Sequence, residues 1–162
     1  MDYIFHYSSP IGGLTLTSDG THLTGLLFDK QFASTQNSPL QEKTLPIFKQ
    51  TVRWLNIYFS GKVPNFTPSL KMQTTPFRKQ VWKIMLTIPY GQTMTYGEIA
   101  TKIARRNGLE KMSAQAVGGA VGHNAIALII PCHRVIGVDG SLTGYAGGIS
   151  KKQKLLQLEK IR

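Results

Sequence analysis

The 162-residue chain holds one cysteine, Cys132. A single thiol closes no internal disulfide, and without a C-x-x-C pair or a Cys/His quartet there is no ligand set for a structural zinc. The fold must therefore stand on its own core, and no metal site is expected. A free thiol suits a reducing compartment, so the expected location is the cytoplasm. Long apolar runs are also missing, since nothing approaches the roughly 18 residues that cross a bilayer. The opening Met1-Asp2-Tyr3-Ile4-Phe5-His6 lacks the basic-then-apolar order of a secretion signal. No membrane association is expected, and neither repeats nor low-complexity segments are present.

Acidic residues are scarce too, 8 against 19 Lys and Arg, for a net charge of +11. The imbalance is local. Residues 1–70 carry five bases against four acids, whereas residues 71–162 carry fourteen bases against Glu98, Glu110, Asp139 and Glu159. The excess of positive charge accompanies Cys132. It points to a polyanionic partner, nucleic acid first, with a solvated basic surface as the alternative.

The chain reads as α+β in two parts, residues 1–72 and 73–162. Period-two stretches around Tyr3–Tyr7, Leu14–Thr17 and Leu23–Phe28, separated by Pro, Gly, Ser and Asp, predict a small antiparallel sheet of three strands. Residues 29–44 are polar and read as a loop. Val52, Leu55, Tyr58 and Phe59 give a helical stripe over 46–59, which Gly61 ends. His6 and His22 are isolated and read as ordinary surface or edge-strand histidines. Pro64 and Pro68 mark an extended linker between the two parts.

Beyond the linker the pattern turns helical. Thr75 before Pro76 caps a helix of about 76–87, and Thr95 with Glu98 forms a capping box for the next. Arg105 and Arg106 fall in the following loop. Ser113 then caps a short helix over Ala114–Val121 made of small residues. Two short helices joined by a turn, the second small and flanked by bases, have the grammar of a helix-turn-helix. Tight packing inside a core would explain the glycines equally well. The apolar run Ala125–Ile130 predicts a buried strand or extended segment entering Pro131-Cys132, and Ser150 is expected to cap a closing helix over 150–160.

Cys132 is followed directly by His133 and Arg134. A thiol near its ordinary pKa of ~8.5 needs a basic or positive neighbour to react. Adjacency does not supply one, because neighbours on a strand point to opposite faces. A turn at Pro131 would be required, and Glu159 is the carboxylate of the closing helix that could orient His133. The residues alone leave Cys132 open between a packing thiol and an activated nucleophile.

Thr75-Pro76-Phe77 with Val81-Trp82, Ile88-Pro89 with Gly91, Thr95-Tyr96-Gly97, Ala116-Val117-Gly118-Gly119-Ala120, Asn124, Ile130-Pro131-Cys132-His133-Arg134-Val135, and Tyr145 with Gly147-Gly148 form a pattern. Over Thr75–Glu159 it resembles the O6-alkylguanine-DNA alkyltransferases. Residues 1–70 resemble that family only in layout. The resemblance implies a ribonuclease H-like N-terminal lobe followed by a winged helix-turn-helix domain. It further implies direct DNA repair in a single turnover: Cys132 takes an alkyl group from O6 of a flipped guanine, with O4 of thymine as a further candidate, and no cofactor takes part. The partner would be double-stranded DNA carrying O6-alkylguanine, bound by a monomer through the minor groove.

The resemblance also assigns roles. His133 acts through water as the base and Glu159 orients it, so that the thiolate is poised near neutral pH. Tyr96 protonates N3 of the leaving guanine, and Asn124 ties the turns around the acceptor. Main-chain groups of Cys132, Val135 and Ala146, with Tyr145 and Gly147, hold the base. Gln115, Ala116, Gly118, Gly119, Arg105, Arg106 and Arg134 contact DNA. One departure concerns Gln115, which stands where the family usually has an intercalating arginine; another is a longer segment between Tyr96 and Gln115. The alternatives are a lesion-binding protein on the same scaffold, against which the presence of Cys132 argues, and a hydrolytic thiol enzyme, whose signatures are missing.

Overall fold

The computed structural model describes residues 2–35, 40–140, 142, 144–145 and 147–160, with the backbone alone for 34 and 35. The chain divides into two units, Met1–Gln73 and Thr74–Arg162.

In the first unit, β1 (Tyr3–Ser9), β2 (Gly12–Ser18) and β3 (Leu23–Phe28) form the expected antiparallel meander. Leu14 and Leu16 point to one face of β2 and are fully buried, as the period of two demands. On that face Phe5 meets Phe48 of α2 (Pro46–Phe59), with ring centroids 5.7 Å apart. Phe48, Trp54, Leu55 and Tyr58 are buried along α2, each contributing roughly 1.5–3 kcal/mol.

The polar stretch 29–44 is not simply a loop. It forms α1 (Asp29–Thr35) and β4 (Gln41–Glu42), which pairs parallel with β1 and makes the sheet mixed, in the order β3-β2-β1-β4. Local composition misleads here because the holding contact is distant in sequence. Thr15, on the second face of β2, donates to the Asp29 carboxylate at 2.6 Å. Gly13 lies two residues away on the same face, where a Cβ would run into that carboxylate.

In the second unit, α3 (Pro76–Met85), α4 (Tyr96–Arg106) and α5 (Ala114–Gly122) pack against one another. Thr75, Thr95 and Ser113 cap them through their side-chain oxygens. The α3 helix stops two residues earlier than the stripe suggests, and Arg105 and Arg106 lie in the last turn of α4 rather than in a loop. Trp82 of α3 is 1% exposed and donates its indole N–H to the Ala120 carbonyl at 2.9 Å, fixing α5 by its backbone. Two short strands, β5 (Met94–Thr95) and β6 (Val135–Ile136), pair in parallel and bring the cap of α4 beside the chain leaving Cys132. The unit closes with α6 (Ile149–Leu158). Its N-cap is Gly148, with φ of 103°, and not Ser150, which lies inside the first turn. No described helix is long and apolar enough to cross a membrane.

Candidate active site

Ala125–Ile130, expected as a buried strand or extended segment, is buried at all but Ala125 but runs through a series of tight turns. Apolar content fixed its burial but not its path. The path comes from Asn124, itself buried. Its Oδ1 accepts from the Ile126 N–H at 3.1 Å, and its Nδ2 donates to the carbonyls of Ile126 at 3.3 Å and Ile130 at 2.8 Å. Leu128, fully buried, takes φ of 69° inside this loop, a left-handed conformation costing a non-glycine residue about 1–2 kcal/mol. The loop delivers Cys132 into a single 3₁₀ turn, Cys132–Arg134. At three residues per turn, successive side chains leave the axis about 120° apart. Cys132, His133 and Arg134 therefore point in three directions.

His133 points to Glu159. Its Nε2 lies 2.6 Å from Oε2, with both side chains fully buried. Burial works to raise the Glu159 carboxyl, but the hydrogen bonds and charges of His133 and Arg134 bring it down to about 2. The group is thus a carboxylate and can only accept, so Nε2 of His133 carries the proton and Nδ1 is the basic nitrogen. Burial also lowers the His133 pKa, against the pull of Glu159, which favours the neutral ring that a base requires.

Arg134 corrects an expectation. Assigned to DNA, it is instead buried, with 10% of its side chain exposed. Its Nε and Nη2 donate to the two Glu159 oxygens at 2.8 and 3.1 Å, and Nη1 donates to the Ile88 carbonyl at 2.8 Å. Its guanidinium also stands over the Tyr90 ring, 5.7 Å from the centroid. Glu159 accepts a further bond from the Gly91 N–H at 3.1 Å, so one carboxylate joins the turn before α4, the acceptor turn and the end of α6.

Cys132 itself is 9% exposed. Burial raises its pKa, opposed by hydrogen bonding from Asn124, the charge of Lys152 and hydrogen bonding from Tyr145. Burial thus works against the thiolate poised near neutral pH that the resemblance implied, and the neighbours of the thiol work for it.

The remaining expected residues separate by location. Val135 is buried directly after the acceptor turn, and Tyr145 and Gly147 are half-buried in the loop before α6. Ala146 lies outside the described residues. Tyr96 is half-buried at the start of α4, its ring against Gly118 of α5. Gln115, Ala116 and Gly119 are exposed along α5, and Arg105 and Arg106 are exposed on α4. Among the described residues no cluster of His, Cys, Asp and Glu could hold a metal ion.

Sequence reasoning missed Lys152. It is fully buried, and its ammonium donates to the Val135 carbonyl at 2.6 Å and the Gly144 carbonyl at 3.4 Å. A signal was available, because Lys152, Leu155, Leu156 and Glu159 fall at i, i+3, i+4 and i+7, the spacing of one helix face.

Residues 76–161 match the family model described as 6-O-methylguanine DNA methyltransferase, DNA binding domain, and residues 3–72 match its ribonuclease-like domain. The methylated-DNA–protein-cysteine methyltransferase of Mycobacterium tuberculosis is 46% identical over 165 residues, covering 98% of this chain and 94% of that one. The Haemophilus influenzae protein of the same name is 40% identical over 160 residues, covering 98% and 87%. The crystal structure of Mycobacterium tuberculosis OGT in complex with DNA superposes with a TM-score of 0.85 at 46% identity, covering 98% of this chain and 92% of that one.

Proposed function

The chain belongs to the 6-O-methylguanine DNA methyltransferase family, and from that premise we propose that Cys132 is the acceptor to which it transfers alkyl groups from O6 of guanine in DNA. It is a methylated-DNA–protein-cysteine methyltransferase and binds DNA in the course of repair. The observation that carries the assignment of Cys132 is its setting: a lone thiol held by the Asn124 loop, one 3₁₀ turn from a buried His133–Glu159 pair.

A base stacked in a duplex cannot reach a buried thiol, so the guanine is flipped out before reaction. The α5 helix enters the minor groove, where Ala116, Gly118 and Gly119 let the backbone come close and read little sequence. Gln115 fills the space the base leaves, and Arg105 and Arg106 neutralise phosphates. The loop with Tyr145 and Gly147 covers the base, and the carbonyls of Cys132 and Val135 accept from its exocyclic amine.

The thiol proton passes through water to Nδ1 of His133, whose imidazolium Glu159 stabilises through Nε2. The Cys132 sulfur then attacks the alkyl carbon in line. A carbon–sulfur bond forms, the carbon–O6 bond breaks, and its electron pair leaves with guanine, which takes a proton at N3 from the Tyr96 hydroxyl. The thioether is stable, so each molecule acts once. O4 of thymine offers the same leaving-group chemistry and is a second substrate position. The protein works as a monomer in the reducing cytoplasm, where its single thiol stays free.

Intact mass after incubation with an oligonucleotide containing O6-methylguanine tests this. One methyl on Cys132, matched by its loss from DNA, is expected. Lesion binding with no change of mass would make the protein a non-catalytic lesion binder. An unmodified protein without lesion affinity would sink both readings.

A further inference from the structure

The small residues of α5 read little sequence, and His123 interrupts them. It caps the C-terminus of the helix, and at about 3.6 residues per turn it falls with Gln115, Ala116, Gly119 and Gly122 on one side, all of them exposed. A Cβ at Gly119 or Gly122 would meet nothing within 4 Å, so neighbouring elements do not require glycine there. The imidazole folds back along this side. Its Nδ1 lies 2.7 Å from the Gly119 carbonyl, which also accepts from the His123 backbone N–H at 3.2 Å. A carbonyl only accepts, so Nδ1 carries the proton. In the neutral ring Nε2 is then a bare acceptor, and no described residue occupies it.

We propose that His123 is a specificity-determining residue: its Nε2 accepts a hydrogen bond from the exocyclic amine of a guanine in the minor groove, so that the protein favours lesions near a G·C pair. This rests on the reading in which α5 enters the minor groove. Base edges there present acceptors alone at A·T pairs, and the guanine N2 amine is the donor that a G·C pair adds. An outward acceptor therefore has that amine as its base-edge partner. The DNA backbone offers it none, since the phosphate and sugar oxygens of an internal nucleotide only accept. Gln115 fills the place of the extruded base, and His123 stands eight residues further on, about 12 Å along the axis at about 1.5 Å per residue. That distance spans about three or four base-pair steps at about 3.4 Å each, to one side of the lesion.

The test exchanges guanine for inosine, which lacks only the N2 amine and keeps the major-groove edge. Affinity for a duplex containing O6-methylguanine is measured at about pH 8.5, above the ordinary imidazole value of ~6.5, with one G·C pair at a time replaced by I·C along both flanks. The parent should lose about two- to tenfold at one flank, as for one neutral hydrogen bond. His123→Phe and His123→Ala should bind the G·C and I·C duplexes equally. A parental affinity that no exchange moves overturns the proposal. So does a loss that persists in both variants, which would belong to duplex flexibility. With 15N-histidine labelling, the ring resonances that vanish in His123→Phe should show the proton on Nδ1 in the free protein, and a proton on Nε2 overturns the proposal without any DNA. Discrimination against inosine with no methyl on Cys132 would refute alkyl transfer and leave this inference standing. A protein that binds no DNA would refute both.

Discussion

Replacing Arg134 by methionine should lower the stability of the protein and leave its DNA affinity nearly unchanged. The guanidinium makes three hydrogen bonds, two to Glu159 and one to the Ile88 carbonyl, with 10% of the side chain exposed. Methionine fills much of the same space but leaves the Glu159 carboxylate to His133 and the Gly91 N–H. Removing one partner of a buried ion pair costs about 3–5 kcal/mol. At roughly 2–4 °C per kcal/mol for a chain of this size, Tm should fall by about 6–20 °C. Thermal and urea unfolding near neutral pH measure the loss. DNA titrations between low and moderate salt measure the other half of the prediction, because each phosphate contact adds about 0.9 to the slope of log K against log salt. A Tm within about 2 °C of the parent, together with a slope reduced by about one, would refute the reasoning and return Arg134 to the DNA surface.

Asn124→Ala leaves the Ile126 N–H and the Ile130 carbonyl without their side-chain partner, at about 1–3 kcal/mol for each buried group. It should unfold at lower urea and react slowly at Cys132, and a stable, fully reactive variant would contradict the role of the loop. Replacing Arg105 and Arg106 together by Gln should lower the salt slope of DNA binding by about 1.8, and an unchanged slope would remove them from the interface. Gln115→Ala should slow repair and weaken binding to lesion DNA; parental rate and affinity would rule out its filling the vacated space. Stability should fall at both ends of the pH range. Glu159, lowered to about 2 in the fold, contributes stability above the ordinary carboxyl range that is lost as pH falls toward that value. Cys132 is raised, so its contribution is complete below the ordinary thiol range and disappears as pH rises through its folded value. Urea titrations across pH check both, and stability that rises on the alkaline side would contradict the second.

The three helices α3, α4 and α5 were legible because their caps are local: Thr75, Thr95 and Ser113 each bond a backbone N–H two or three residues ahead. The resemblance brought Cys132, His133, Asn124 and Glu159 to one site. What remained hidden is long-range. Asp29 starts a helix in a polar stretch because Thr15, fourteen residues earlier, holds it. Arg134 reads as one more base in a basic half, since its acid lies twenty-five residues on. The Ala125–Ile130 run has the composition of a strand, and only the hydrogen bonds of Asn124 with the left-handed Leu128 make it a loop. Lys152 stood among other lysines of α6, and only the helical period marks it as inward.

The carboxylate of Glu159 also sets an order of events during synthesis. Its partners His133, Arg134 and Gly91 precede it by 26, 25 and 68 residues. Loops of that length close late, because their entropy is lost before the contact repays it. Until α6 has emerged and docked, Arg134 has no acid beside it and the imidazole has no fixed tautomer. A nascent chain on the ribosome therefore carries an ordinary, unassisted thiol. Competence of Cys132 for the proposed transfer therefore arrives only when α6 docks.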